Sequence, residues 1–225
     1  MIGLQILKRR RQVAPAMVEK FRAIPVANIS DCMARMTAGG PRLRPMHASG
    51  RLAGPALTVK TRPGDNLMIH KAIDMAQPGD VIVVDGGGDL TSALIGELMV
   101  SQAIKRGVAG LVINGAIRDL DFIHTGAMPV YAAGVTHRGP YKDGPGEINV
   151  PIAIDGMVMQ AGDLILGDAD GVLCVPYDDL EAVLAAAISK VAAEVKTLAA
   201  IAEGRLDTSW IDTALTRIGC DTQPR

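Results

Sequence analysis

Residues 85–122 read DGGGDLTSALIGELMVSQAIKRGVAGLVINGAIRDLDF, and they follow DVIVV at 80–84, a short apolar run of the kind a buried strand carries. The run opens into Asp85, three consecutive glycines and Asp89. Glycine reaches positive φ and exposes main-chain N–H groups that a Cβ would screen, so Gly86, Gly87 and Gly88 predict a loop that a ligand can approach closely. A helix is predicted next, because Leu94, Ile95, Leu98, Met99, Ala103 and Ile104 recur at helical spacing. Lys105 and Arg106 suit its C-terminal end, and Gly107 suits the residue just past it. GLVIN at 110–114 is a second strand pattern and leads through Gly115 and Ala116 into Ile117, Arg118, Asp119, Leu120 and Asp121.

The chemistry of this stretch depends on where the helix starts. If Gly96 is the N-cap, Glu97, Leu98 and Met99 form the first turn, and their N–H groups have no partner inside the helix and suit an anion. If the helix starts near Thr91, the same groups are consumed in the ladder and no anion site exists. The strand ending in Arg118–Asp119 delivers a fixed cation and a carboxylate to one edge of a sheet, where open α/β sheets place their ligands. Arg offers a rigid fork to carboxylate or enolate oxygens, and a lone Asp with waters is how Mg²⁺ is usually held. Taken alone, an Arg-Asp dipeptide reads as an inert surface salt bridge.

With 225 residues and 48% hydrophobic content, the chain has enough apolar sequence for one domain, placed at 1–204, with a C-terminal extension at 205–225. A formal net charge of −1 and an aromatic content of 3%, with a single Trp210, argue against a nucleic-acid partner, which calls for a basic face or stacking platforms. Cys32, Cys174 and Cys220 are odd in number and lack metal-site spacing, which fits a reducing cytoplasm. Lys8 to Arg11 precede no apolar segment of the signal-peptide type, and no apolar run is long enough to span a bilayer, so no membrane partner is expected.

Along the chain, helices are predicted at 13–22 and 28–36, with Ser30 and Asp31 near the start of the second. Arg42 and Arg44 lie in a breaker-rich loop and read as solvated charges. GRLAGPALTVKT at 50–61 reads as a strand interrupted at Gly54–Pro55, an edge or a bulge. Asp65 caps a helix, NLMIHKAIDMA, in which His70 reads as a packed or surface residue. QPGDVIVV at 77–84 and QAGDLILG at 160–167 repeat one piece of turn chemistry, with Gly at positive φ and Asp leading a strand. Asp155–Gly156 signals a two-residue hairpin, and Asp168 and Asp170 read as a tight turn between strands. The polar segment HRGPYKDGPGE at 137–147 is placed either over a site or against a neighbouring subunit. Residues 178–202 form a long helix with one apolar stripe, and Glu194 falls at its edge. Strands, helices and hairpins in this order predict a mixed sheet.

Four segments together resemble one known family: GGGD at 86–89, GELM at 96–99, KRGVAGLVINGAIRD at 105–119 and DADGVLCVP at 168–176. They are similar to the 4-hydroxy-4-methyl-2-oxoglutarate / 4-carboxy-4-hydroxy-2-oxoadipate aldolases, a family that also contains the regulator of ribonuclease activity A. The resemblance runs from roughly Ile24 to Ala200. It implies an α/β fold, a mixed-sheet β/β/α sandwich of the swivelling-domain type with flanking helices, assembled as a homotrimer or homohexamer. It also implies metal-dependent release of pyruvate from a 4-hydroxy-2-oxo diacid, with oxaloacetate decarboxylation as a side activity. In that reading Asp119 holds Mg²⁺, or Mn²⁺, and Arg118 contacts the 2-keto oxygen. Gly96, Leu98 and Met99 bind the pyruvyl carboxylate, and Glu97 organises the water that moves protons. The family places an acidic residue of the C-terminal helix in an adjacent subunit's site, and Glu194 matches it. Relatives carry a further acidic residue just after the Arg-Asp pair, where this chain has Asp121 and then Phe122. No Lys lies in the motif for a Schiff base, since Lys105 ends the helix far from its start. The rival reading is a non-catalytic protein that binds a ribonuclease.

Overall fold

The two apolar runs at 81–85 and 110–117 form neighbouring parallel strands in a computed structural model that describes residues 2–37 and 39–221. In chain order the elements are β1 (Leu4–Ile6), α1 (Pro15–Arg22), α2 (Val26–Cys32), β2 (Arg44–Pro45), β3 (Leu52–Thr61), α3 (Leu67–Met75), β4 (Val81–Asp85), β5 (Ala93–Ile95) and α4 (Glu97–Lys105). There follow β6 (Gly110–Ile117), α5 (Leu120–Thr125), β7 (Val130–Val135), β8 (Gly146–Ile148), β9 (Ile152–Ile154), β10 (Met157–Met159), β11 (Leu164–Asp168), β12 (Gly171–Val175), α6 (Leu180–Ala202) and α7 (Ser209–Arg217). The main sheet runs β1-β8-β3-β4-β6-β7-β2, with β5 added to β6 and the β11–β12 pair added to β3. It is mixed, as the element order predicts: β3, β4, β6 and β7 are parallel, while β8, β11 and β2 pair antiparallel.

Side-chain alternation along the strands sorts the core into layers. Leu57, Val59, Ile82, Val84, Leu111 and Ile113 face α3, α4 and α5, whereas Ala56, Val81, Val83 and Val112 face the opposite way. That second face packs on the β9–β10 hairpin and on Ile165, Val172 and Cys174 of β11 and β12. The intervening residues Leu164, Leu166, Leu173 and Val175 turn outward under α1, α2 and the first turns of α6. The result is a β/β sandwich with helices on both outer faces. By internal contact the chain divides into two compact units, Met1–Ala187 and Ile188–Arg225. In the second unit Val195, Leu198, Trp210 and Ile218 are exposed. No helix among the described residues is long and apolar enough to cross a membrane.

Local chemistry explains most turns. Gly79 and Gly162 adopt φ of 90° and 96°, and Asp80 and Asp163 each accept the N–H of the Gln three residues back, at 2.9 and 2.8 Å. Asp155 and Gly156 both have positive φ, the requirement of the two-residue hairpin joining β9 to β10. Asp168 closes the β11–β12 turn through the Asp170 N–H at 3.0 Å, and its other oxygen accepts the Val26 N–H at 2.9 Å, capping α2.

Two expectations are corrected. The second helix begins at Val26, directly after Pro25, so Ser30 and Asp31 lie in its last turn; Ala34 and Arg35, both at positive φ, end the helical path. Gly54–Pro55 interrupts nothing, and β3 is a central strand of ten residues. Ala56 N–H donates to Asp163 O on the β11 side, so the donor that Pro55 lacks falls on the opposite flank, where pairing with β4 starts only at Ala56. Gly54 is needed for space, because a Cβ there lands on the Gly79 carbonyl oxygen and 3.0 Å from Val81 Cγ2. Gly54→Ala is expected to cost about 1–3 kcal/mol, the range for forcing a methyl into a packed interior. Chemical denaturation measures this, and an unchanged midpoint would show that β3 and the 77–80 turn can separate freely.

Candidate functional site

Helix α4 starts at Gly96, the first of the two alternatives open in the sequence. Leu94 and Ile95 are not helical; they belong to β5, which pairs in parallel with β6, and Ile95 O accepts the Arg118 N–H at 3.0 Å. Gly96 has φ of −159°, extended backbone open to any residue, so its small size is what matters. A Cβ at Gly96 would fall onto Asp119 Oδ2 and within 2.9 Å of Arg118 Cγ. The Arg-Asp pair therefore lies directly over the helix start.

Asp119 takes the left-handed conformation, φ 58° and ψ 44°, which Asp tolerates better than most residues. Its Oδ2 accepts the Glu97 N–H at 2.8 Å and lies 3.7 Å from Arg118 Nε. The Met99 N–H donates to Gly96 O at 3.1 Å. Of the three amides expected to be open, only that of Leu98 has no partner among the described residues. Glu97 and Leu98 are exposed, and Met99 is buried.

The glycine loop does not serve as the sequence predicts. Gly86 and Gly88 N–H groups donate to Asn114 O at 3.1 Å, and the Gly87 N–H donates to Asp85 Oδ1 at 3.1 Å. No amide of the three glycines is left for a ligand. The residues are small because a Cβ at Gly86 would meet Leu94 Cδ1 at 2.6 Å and one at Gly88 would meet Arg42 Nη1 at 2.7 Å. Arg42 itself pairs with Asp155 at 2.5 Å.

Beside the α4 start lies a pocket of about 120 Å³ whose polar lining comes from Asn66, His70, Arg118 and Lys142, with Gly96 and Leu98 at its edge. No Asp or Glu lines it, so its fixed charge is positive. Asn66 is 2% exposed; its Nδ2 donates to Leu94 O at 2.9 Å, and its Oδ1 has no protein partner. Burial, then the nearby Lys142, depress the His70 pKa, so this imidazole is neutral at pH 7. A larger hollow of about 340 Å³ beside Leu7–Gln12 contains the Arg9–Asp80 pair and none of these residues. The segment 137–147 lies over the pocket of its own chain: Pro140 and Lys142 line it, and a Cβ on Gly139 would sit 3.5 Å from Arg118 Nη1.

Asn66, His70 and Lys142 escaped the sequence reading. Asn66 and His70 are four residues apart and so share a helix face, but nothing local says that this face borders Arg118. Glu194, on α6 in the second unit, has its carboxylate 3.5 Å from Lys190 Nζ one turn earlier. Asp121 is an exposed first-turn residue of α5.

Asp119 Oδ1 has no protein partner among the described residues, and the side chain is 41% exposed. Among those residues no group of three or more His, Cys, Asp or Glu could cage an ion. One open carboxylate at a wet surface fits Mg²⁺, which keeps several waters and takes one or two carboxylates.

Asp65 anchors the cover of the pocket. It is fully buried, and its carboxylate accepts the N–H groups of Leu67 at 3.0 Å, Asp143 at 2.7 Å and Gly144 at 2.9 Å, with Arg62 at 3.1 Å. Burial pushes this carboxyl up, but the three amides and Arg62 outweigh it and hold the pKa below its ordinary 3.8. A carboxylate held below its unfolded value stabilises the fold fully above that value and loses the contribution as pH falls through the folded one. Asp65→Asn is therefore expected to lower the thermal midpoint at neutral pH, by an amount that shrinks as pH falls from the unfolded value through the folded one; a pH-independent difference would contradict this. Gly96→Ala is expected to push Asp119 off the Glu97 amide while leaving the core intact. Loss of protection of that amide in hydrogen exchange checks it, and unchanged protection would show that the pair does not depend on the glycine.

A family model described as RraA-like, Aldolase/RraA, matches residues 26–174. A relative from Halalkalibacterium halodurans, named "Putative 4-hydroxy-4-methyl-2-oxoglutarate aldolase", is 41% identical over 173 residues, 77% of this chain and 82% of its own. An uncharacterized protein from Pseudomonas syringae superposes with a TM-score of 0.77 at 25% identity, covering 86% of this chain and 95% of its own. The RNA-processing inhibitor RraA from Thermus thermophilis superposes with a TM-score of 0.63 at 30% identity, covering 68% and 92%. The mixed sheet, the flanking helices and the matched span agree: this chain belongs to the RraA-like, Aldolase/RraA family.

Proposed function

We propose that this chain cleaves a 4-hydroxy-2-oxo diacid, of the 4-hydroxy-4-methyl-2-oxoglutarate or 4-carboxy-4-hydroxy-2-oxoadipate type, to pyruvate and a second keto acid in a divalent-metal-dependent retro-aldol reaction. The observation that carries this reading is the pocket at the α4 start, with Arg118 and Lys142 in its lining and no carboxylate there, and with Asp119 held at the same helix start by the Glu97 N–H. Such a lining suits an anionic substrate, and the names of the aldolase relatives agree with it.

Retro-aldol cleavage removes the proton of the C4 hydroxyl, breaks C3–C4 and leaves the electron pair as the pyruvate enolate, which is then protonated at C3. Arg118, whose main-chain N–H is held by the Ile95 carbonyl, stabilises the charge that grows on the C2 oxygen. The Leu98 N–H takes the C1 carboxylate at the positive end of α4. Glu97, on the same turn, relays the proton from the C4 hydroxyl or to C3 through water. Asp119 would hold Mg²⁺ or Mn²⁺, which supplies Lewis acidity toward the keto oxygen. Oxaloacetate loses CO₂ to the same enolate, so its decarboxylation belongs to the same reading. Glu194 is assigned to the site of a neighbouring subunit in a homotrimer or homohexamer, on the family resemblance.

The RraA relative favours a second reading, a regulator that binds a ribonuclease. One assay separates the two. Pyruvate release from 4-hydroxy-4-methyl-2-oxoglutarate should require added Mg²⁺ and stop with chelator, and Arg118→Lys should lower kcat/KM by about 100-fold or more, as loss of an oxyanion donor does. No release from any 4-hydroxy-2-oxo diacid would leave the regulator standing.

A further inference from the structure

A diacid substrate carries a second carboxylate, remote from the keto end, and the residues assigned so far do not receive it. Lys142 is exposed and makes no ion pair among the described residues, yet it lines the pocket together with Arg118. It reaches that position on a short segment whose main chain is tied down on both sides. Tyr141 N–H donates to Gly64 O at 2.8 Å and Tyr141 O accepts the Asn66 N–H at 3.0 Å. On the other side of Lys142, the Asp143 and Gly144 amides both end on one oxygen, Asp65 Oδ2. The other oxygen of Asp65 accepts the Leu67 N–H at the start of α3. The same helix carries His70, and the residue before it is Asn66, both of which line the pocket. A single buried carboxylate thus fixes the Lys142 segment to the helix that forms the opposite wall. Asn66 Oδ1, buried and unpartnered, is a second sign that the pocket takes a polar ligand with a donor to offer.

We propose that Lys142 receives the distal carboxylate of the substrate, and that Asp65 is the positioning residue that sets Lys142 over the pocket. This rests on the aldolase reading and specifies its substrate preference: a keto acid with a second carboxylate is favoured over a keto monoacid. His70 supports the placement. Both residues line the pocket, and burial, then Lys142, hold the His70 pKa below its ordinary value, so the lysine carries the positive charge there. Asp65 touches no substrate; it acts through the main chain of Asp143 and Gly144.

The test compares two stable ligands on the full-length protein with Mg²⁺ present, 2-oxoglutarate as the keto diacid and pyruvate as the keto monoacid, by titration calorimetry. Wild type should bind 2-oxoglutarate more tightly. Lys142→Met should reduce the ratio of the two affinities by about tenfold or more, the loss expected when a charged hydrogen bond is removed, while leaving pyruvate binding nearly unchanged. Lys142→Arg should retain most of the preference. Asp65→Asn should reproduce the loss of preference with Lys142 still present, and if that variant does not fold, Asp65→Glu, which keeps the charge but displaces it by one methylene, takes its place. An unchanged ratio in Lys142→Met, or equal weakening of both ligands, overturns the assignment of Lys142. A retained preference in the folded Asp65 variant overturns the positioning role. Pyruvate release by the same wild-type preparation tests the aldolase reading separately, since binding preference is read without turnover.

Discussion

The site depends on one hydrogen bond, from the Glu97 N–H to the carboxylate of Asp119. It joins the start of a helix to the end of the neighbouring strand, and it can form only because residue 96 has no side chain. Asp119 must leave ordinary backbone geometry to reach it, and the left-handed conformation is the sort of local cost found where function constrains the chain. With that bond made, Arg118 is carried over Gly96, the Leu98 amide is left as the open donor of the turn, and Asp119 presents its second oxygen outward. Three chemical groups are thereby placed by one hydrogen bond between a helix start and a strand end.

The scaffold beneath was legible in the sequence wherever one residue's own chemistry decides the geometry. The matched turns at Gln77–Asp80 and Gln160–Asp163, the Asp155–Gly156 hairpin and the Asp168–Gly171 turn each contain the residue that satisfies their backbone. The continuous apolar runs at 80–84 and 110–114 marked two buried strands, and β4 and β6 are buried along almost their whole length. What local pattern misread was decided by partners distant in sequence. Leu94 and Ile95 fit a helical stripe, yet β6 offers them a parallel ladder, and that pairing wins. Gly86, Gly87 and Gly88 advertise free amides, yet Asn114 and Asp85 consume them. Pro55 looks like an edge residue, yet its missing donor coincides with a place where β4 has not begun to pair.

The candidate site shows the same division. Gly96, Glu97, Leu98, Met99, Arg118 and Asp119 are close in sequence or joined by adjacent strands, so motif reading found the group. Asn66, His70 and Lys142 come from segments more than 20 residues away in sequence, and their approach is set by Asp65, whose carboxylate is hidden from any local pattern. A buried acid with three amide donors and an arginine is a structural device, and here it also composes one wall of a pocket. Met99 illustrates the converse: its amide is spent on Gly96, while its buried side chain packs on Asn66 and lines the pocket.

The central claim is that the open end of α4, Arg118 and Asp119 form one binding site for a keto-acid enolate. The most direct measurement is a crystal structure with oxalate and Mg²⁺, since oxalate has the planar shape and the charge of that enolate. The account predicts an oxalate oxygen within about 3 Å of the Leu98 N–H, the ligand in contact with the Arg118 guanidinium, and the ion on Asp119 Oδ1. Oxalate seated elsewhere, such as on the 86–88 loop, with the Leu98 amide left to water, would contradict it.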